Sequence, residues 1–446
     1  MNNAPADTPT RPAPVSFREA LTFWWRLGWI SFGGPAGQIA IMHEELVEQR
    51  RWISEKRFLH ALNYCMVLPG PEAQQLATYI GWLMHGRAGA IAAGTLFVLP
   101  SLFILMGLTW IYLSFGHLPA LAAVLWGIKP AVVAIVLAAA WRIGKRALKN
   151  RLLWGLAGLS FVSLTFLQLP FPAIVLGAAL LGMLGGRFYP ALFKASAGHA
   201  QKSGQHWPAL IDDHTPTPAH ARLQKRQLLH LLLAGLVLGG VVLGGLWLAE
   251  GGIGLLTRMG LFFTQAALLT FGGAYAVLPY VFHAAVSDYG WLSAPQMMDG
   301  LALGETTPGP LIMIVAFVGF VGGWAQSPLL AVAGAMVATF FTFLPSFLFI
   351  LVGGPFIEAS QNEARLTAPL TAITAAVVGV ILNLALFFGL HTLWPTGGDT
   401  ISLATMDWPA FLLGAAALLA LTRFEVKVTH LVAACAALGM GWRLLW

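Results

Sequence analysis

Charge is what this sequence has least of. Asp, Glu, Lys and Arg make up 10% of its 446 residues, against roughly 25% in an ordinary soluble domain. So thin a supply cannot cover the surface of a water-soluble globule of this length. Cysteine is nearly missing as well. Cys65 and Cys435 lie in separate apolar segments, with neither metal-ligand nor disulfide spacing. The N-terminus, MNNAPADTPTRPAPVSFREA, lacks the charged-then-apolar pattern of a signal sequence. It reads as a disordered, Pro-rich tail over 1–15.

What is present is apolar: 58% of the chain. Runs at 90–115, 119–141 and 231–248 approach the roughly 20 residues that a bilayer-spanning helix needs. The class is an all-α polytopic membrane protein, with the lipid bilayer as its surroundings. The formal net charge of +7 is no sign of nucleic-acid binding. Its basic residues sit between apolar runs, as do Arg142, Lys145, Arg146, Lys149 and Arg151. Cytoplasmic loops have this composition under the positive-inside rule.

The two halves echo each other. Phe32-Gly33-Gly34 returns as Phe271-Gly272-Gly273, an offset of 239. At the same offset Trp52 meets Trp291, Ser54 meets Ser293, and Pro69-Gly70-Pro71 meets Pro308-Gly309-Pro310. Further on the offset is 245, and Leu99-Pro100-Ser101 meets Leu344-Pro345-Ser346. Chance similarity between apolar segments repeats leucines, not glycine, proline and tryptophan in one order. The expected organisation is an N-terminal repeat at 16–190, a polar cytoplasmic linker at 191–226, a connecting transmembrane helix at 227–249, and a C-terminal repeat at 252–446. Basic loops change sides between the halves. The loop before the first Pro-Gly-Pro holds Arg50, Arg51, Lys56 and Arg57, whereas its counterpart holds Asp288 and Asp299 without Lys or Arg. The second repeat is therefore predicted to be inverted, with the N-terminus cytoplasmic.

The segments flanking Pro-Gly-Pro are short. About 14 residues on each side reach only about 21 Å as helix, less than the roughly 30 Å hydrocarbon core. Re-entrant or broken helices fit. Irregular backbone at membrane depth survives only where protein or a wet cavity covers it. A helix that opens after Pro71 or Pro310 would point its N-terminal N–H groups inward and favour an anion. The competing reading is a turn at the membrane surface. For Gly33, Gly34 and Pro35, and for Gly272 and Gly273, the competing reading is close helix packing.

Two carboxylates flank the breaks, Glu72 after the first and Glu305 before the second. Intramembrane carboxylates are costly and usually functional, although Glu72 could simply cap its helix. In a dry site a carboxylate takes up a proton more readily, so both are candidates for proton coupling. Gln74, Gln75, Thr306 and Thr307 offer hydrogen bonds to oxygens. Lys129, well inside an apolar run, and Arg26, near the interface, are the candidate cations. Their counterparts, Thr374 and Gln265, are neutral. His43, His60, His85 and His283 are scattered without metal-ligand spacing. No metal or other cofactor is called for, nor any nucleophile–base pair of an enzyme.

The stretches SFGGPAGQIAIMHEELVEQRRWIS, VLPGPEAQQLATYIGW, LTFGGAYAVLPYV and LGETTPGPLI resemble the chromate transporter family in its long two-domain form. The likeness covers about 16–446, outside the tail and linker. It implies an inner-membrane carrier that exports chromate on the proton-motive force. It also implies that residues 32–35, 69–75, 271–273 and 305–310 are the site. It does not separate chromate from sulfate, a tetrahedral dianion of similar size. A passive anion channel and a homo-oligomer both remain compatible with the sequence.

Overall fold

The computed structural model describes residues 12–32, 34–116, 118–189, 208–213, 215–216, 218, 220, 224–271, 273–359, 367–395 and 402–445. Gly33, Gly272 and most of the expected tail and linker lie outside the described residues. The rest is helical, with one isolated bridge between Ile53 and Ile211.

The chain begins with α1 (Phe17–Ile30), α2 (Gly34–His43), α3 (Glu55–Cys65), α4 (Glu72–Phe115), α5 (Pro119–Ala147), α6 (Arg151–Thr165) and α7 (Phe171–Phe188). After α8 (Lys225–Ala249) come α9 (Leu255–Leu268), α10 (Ala274–His283), α11 (Ala294–Thr306), α12 (Ile314–Trp324), α13 (Pro328–Ala359), α14 (Thr367–Leu393), α15 (Trp408–Arg423) and α16 (Val428–Leu445). Local chemistry sets several starts. Ser54 Oγ accepts the Arg57 N–H at 3.3 Å to cap α3. Ser293 caps α11 in the same way, and Gln296 returns a bond to the Ser293 N–H at 2.8 Å, closing a capping box. The carboxylate of Glu250 caps α9, accepting the Leu256 N–H at 2.7 Å and the Thr257 hydroxyl at 2.6 Å. Burial pushes that carboxyl up, but the bonds outweigh it and hold Glu250 below its usual range.

Among the described residues six helices are long and apolar enough to cross a membrane: those of α4, α5, α7, α8, α13 and α14. The chain is a multi-pass membrane protein. Helices α3 and α11, with 11 and 13 residues, reach only about 17–20 Å and stop at the two Pro-Gly-Pro breaks. Helix α4 is kinked at His85 and Gly86, where Gly86 has φ 62°. Its first arm, from Glu72, is therefore as short as α3. One boundary departs from the sequence reading. The apolar run ending at Trp141 continues as helix to Ala147, so Arg142, Lys145 and Arg146 are helical, not loop residues. Cations suit a helix C-terminus, where the macrodipole is negative.

The halves interlock. Helix α1 packs on α4 and α9 on α13, while α4 and α13 pack on each other. The hairpin α6–α7 lies against α14, and α15–α16 lies against α5. Gly127 and Gly439 meet backbone to backbone where α5 crosses α16, the close approach that small residues permit between membrane helices. Helix α8 stands apart. It touches the bundle mainly through α13, where Gly235 meets Leu348, and leaves Val237, Val241 and Leu248 exposed.

Candidate functional site

Two backbone crossings define the centre of the molecule. The N–H of Gly70 donates to the carbonyl of Thr270 at 2.7 Å, and the N–H of Gly309 donates to the carbonyl of Ser31 at 2.8 Å. Each Pro-Gly-Pro glycine is thus tied to the residue just before the other half's Phe-Gly-Gly. The hydroxyls of those two residues donate backwards into their own helices, Ser31 to Leu27 at 2.6 Å and Thr270 to Ala266 at 2.7 Å. Gly70 has φ 129° and Gly309 φ 104°, conformations open to glycine and costly for other residues.

The serines beside Pro100 and Pro345 close the same arrangement. A side chain on Gly309 would meet Ser101, and one on Gly70 would meet Ser346. Both hydroxyls are buried and make no hydrogen bond. Pro71 and Pro310 take the N-cap positions of α4 and of the short turn Leu311–Met313 that leads into α12. Helices α2 and α10 begin at the Phe-Gly-Gly turns. Four helix starts therefore meet at the two crossings. Their free N–H groups and positive dipole ends make a setting for an anion.

The polar side chains around this centre come mostly from the first half. The amide of Gln38 donates to the carbonyls of Gly309 and Ser31. Gln75 donates to the Pro69 carbonyl at 2.8 Å and Gln74 to the Thr78 hydroxyl at 3.0 Å. The carbonyl oxygens of all three amides are buried without partners. The corresponding second-half residues are Val277, Met313 and Ile314. Thr306 and Thr307 spend their hydroxyl protons on helix carbonyls, Thr307 on Gly304 at 3.1 Å.

Both carboxylates reach the same turn by different paths. A side chain on Gly273 would lie 3.5 Å from Glu72 Oε1. Two residues on, the Tyr275 hydroxyl donates to Glu305 Oε1 at 2.5 Å. Glu305 is buried and Glu72 partly so. Arg146 lies within electrostatic reach of Glu72, and Arg142 of Glu305 and Tyr275. Both arginines are exposed, in the last turns of α5.

The two expected cations are placed otherwise. The Arg26 guanidinium is exposed, 4.0 Å from Glu45, and is not brought to the cluster. Lys129 Nζ lies 3.8 Å from Asp299 Oδ1, while Asp299 Oδ2 accepts the Tyr112 hydroxyl at 3.0 Å. Lys129 therefore meets a buried carboxylate on α11 and ties the halves together. Removing one member of such a pair strands the other charge. Lys129→Met or Asp299→Asn alone should cost about 1–3 kcal/mol. The double variant should recover part of that loss. Thermal melts of the purified protein test this, and simply additive losses would mean that the two charges are not coupled.

Sequence reasoning missed Gln38, Ser101, Ser346, Tyr275, Asp299, Arg142 and Arg146 as members of this region. The two serines had a signal, since they occupy matched positions in the Leu-Pro-Ser echo. Among the described residues no group of three His, Cys, Asp or Glu side chains is placed to hold a metal ion.

The chain is similar over most of its length to known transport proteins. The model of the family described as "Chromate transporter" matches twice, at residues 18–183 and 257–440. A chromate transport protein of Pseudomonas aeruginosa is 34% identical, over 84% of this chain and 82% of that protein. A probable chromate transport protein of Synechococcus elongatus is 27% identical, over 93% and 92%. A chromate transport protein of Cupriavidus metallidurans is also 27% identical, over 95% and 92%. No solved structure matches.

Proposed function

We infer function from family and geometry together: the chain belongs to the chromate transporter family, and its centre is built for an oxyanion. The reading is a secondary transporter that exports chromate across the inner membrane, driven by the proton-motive force. One observation carries it. Gly70 and Gly309 are tied reciprocally across the halves, and helix starts gather where their breaks meet. Discontinuous helices of paired repeats are a recurrent way to build a substrate site near the bilayer midplane.

In this reading 16–190 and 252–446 are inverted repeats and α8 supplies the change of side. The double match to one family model, the matched order of elements and the reciprocal crossings support it. In this reading the N-terminus is cytoplasmic, which the distribution of basic residues supports. Chromate sits between the breaks and takes hydrogen bonds from the helix N–H groups of Gly34, Glu72, Ala73, Gln74, Gly273, Ala274 and Leu311. Arg142 and Arg146 draw the dianion in. Glu72 and Glu305 carry the proton. Lys129 leaves Asp299 as the halves rock, and the exchange couples that pair to the open and closed states.

Flux into proteoliposomes with an imposed pH gradient tests the reading. Chromate uptake should follow the gradient, collapse with a protonophore, and exceed sulfate uptake at equal concentration. Equal or greater sulfate flux would move the substrate to sulfate. Flux that ignores the gradient would make the protein an anion channel.

A further inference from the structure

A cavity of about 530 Å³ lies away from the breaks, between the kink of α4, the start of α8 and the end of α13. Its walls are of two chemistries. Arg87, His220, Gln224 and Gln227 make up the polar part, and Leu228, Leu231 and Leu351 the apolar part, so that along α8 the lining passes from glutamine to leucine. Arg87 follows Gly86, so the kink is what turns the new arm of α4 at this level. The His220 imidazole donates from Nε2 to the Trp82 carbonyl at 2.9 Å, which fixes it at the rim. Among the described residues no carboxylate lines the cavity and none pairs with Arg87. Lys225 and Arg226, both exposed, open α8 beside it. The charged side chains described at the cavity, Arg87, Lys225 and Arg226, are all positive.

The level of the cavity adds to this. The apolar span of α8 runs Lys225–Ala249, so the polar wall stands where hydrocarbon gives way to water. Below it α8 continues with Leu229, Leu232 and Leu233 exposed. A ligand that satisfies both walls carries an anionic head and an apolar tail. Basic pockets between membrane helices suit anionic lipid headgroups.

We propose that this cavity is a binding site for one anionic phospholipid. Its headgroup phosphate accepts from Arg87 and the Gln224 and Gln227 amides. An acyl chain descends past Leu231 and Leu351 between α8 and α13. The lipid joins α8 to the kink of α4, two elements with little direct contact, since α8 touches the bundle mainly through α13. A soluble anion would use only the polar wall and leave the leucines facing nothing.

Native mass spectrometry of the full chain, with phosphatidylglycerol and phosphatidylcholine in competition, tests this. Phosphatidylglycerol should be retained in preference, and Arg87→Gln should reduce its retention about fivefold. Leu231→Trp, which fills the tail slot and keeps Arg87, should reduce it as well. A melt without added lipid shows that each variant is folded, and either variant alone suffices for the comparison. Equal retention of the two lipids, or unchanged retention in the folded variants, overturns the proposal. Inorganic phosphate and glycerol phosphate are the further arms. A melting shift with either that Arg87→Gln removes would make this a soluble-anion site and overturn the lipid assignment.

Discussion

Glu305→Gln should cut proton-driven chromate uptake into everted membrane vesicles by at least about tenfold, a loss of ~1.4 kcal/mol or more in the coupled step. Glutamine keeps an oxygen to accept the Tyr275 hydroxyl, now 2.5 Å from the carboxylate, and the pocket keeps its shape. What it loses is the ability to take and release a proton. Glu72→Gln should give a loss of similar size by another route. Among the described residues no tyrosine hydroxyl is bonded to Glu72, which is only partly buried beside the Gly273 turn, so its proton exchanges with less rearrangement. Tyr275→Phe separates the two. It should shift the pH profile of uptake in the wild-type background and leave the Glu72→Gln defect as it is in every other respect. Wild-type uptake in both glutamine variants would sink the coupling role. Identical profiles in both, with Tyr275→Phe silent, would sink the division of labour.

The breaks were legible because proline and glycine carry information that leucine does not. Pro-Gly-Pro at 69–71 and 308–310, between undersized apolar flanks, announced two interrupted helices, and α3 and α11 do stop there. Lys129 was legible as a cation in an apolar run. Its partner was not, because Asp299 reads as an acid in a polar loop until α11 is seen to pass beside α5. Arg142 and Arg146 were hidden for a related reason. Lysines and arginines that follow an apolar run look like a loop under the positive-inside rule. Yet α5 carries them through its last turns to Ala147, within electrostatic reach of the two carboxylates. In each case the missing information is which helices are neighbours. One-dimensional pattern does not contain that, whereas a repeated local break does.

The reciprocity of the crossings leads to the second large effect. Gly70→Ala and Gly309→Ala should each abolish transport and lower the melting temperature, because two costs combine at each position. The positive φ alone costs a non-glycine residue about 1–3 kcal/mol. The new methyl also has nowhere to go: at Gly309 it would lie 2.6 Å from Ser101 Cβ, and at Gly70 it would meet both Ser346 Oγ and the Gln75 amide, the latter at 2.6 Å. Ser101→Gly should therefore rescue Gly309→Ala in part, by removing the clash and leaving the strain. Ser346→Gly should rescue Gly70→Ala less, because Gln75 still stands in the way. Melting curves and chromate flux on the four variants measure both costs. Wild-type behaviour in both single alanine variants would show that the breaks tolerate another backbone, and that their crossing is not the fixed point of the site. A similar primary defect in the two, set against unlike pH profiles in the Glu72 and Glu305 variants, is what a duplicated frame carrying unduplicated carboxylates requires.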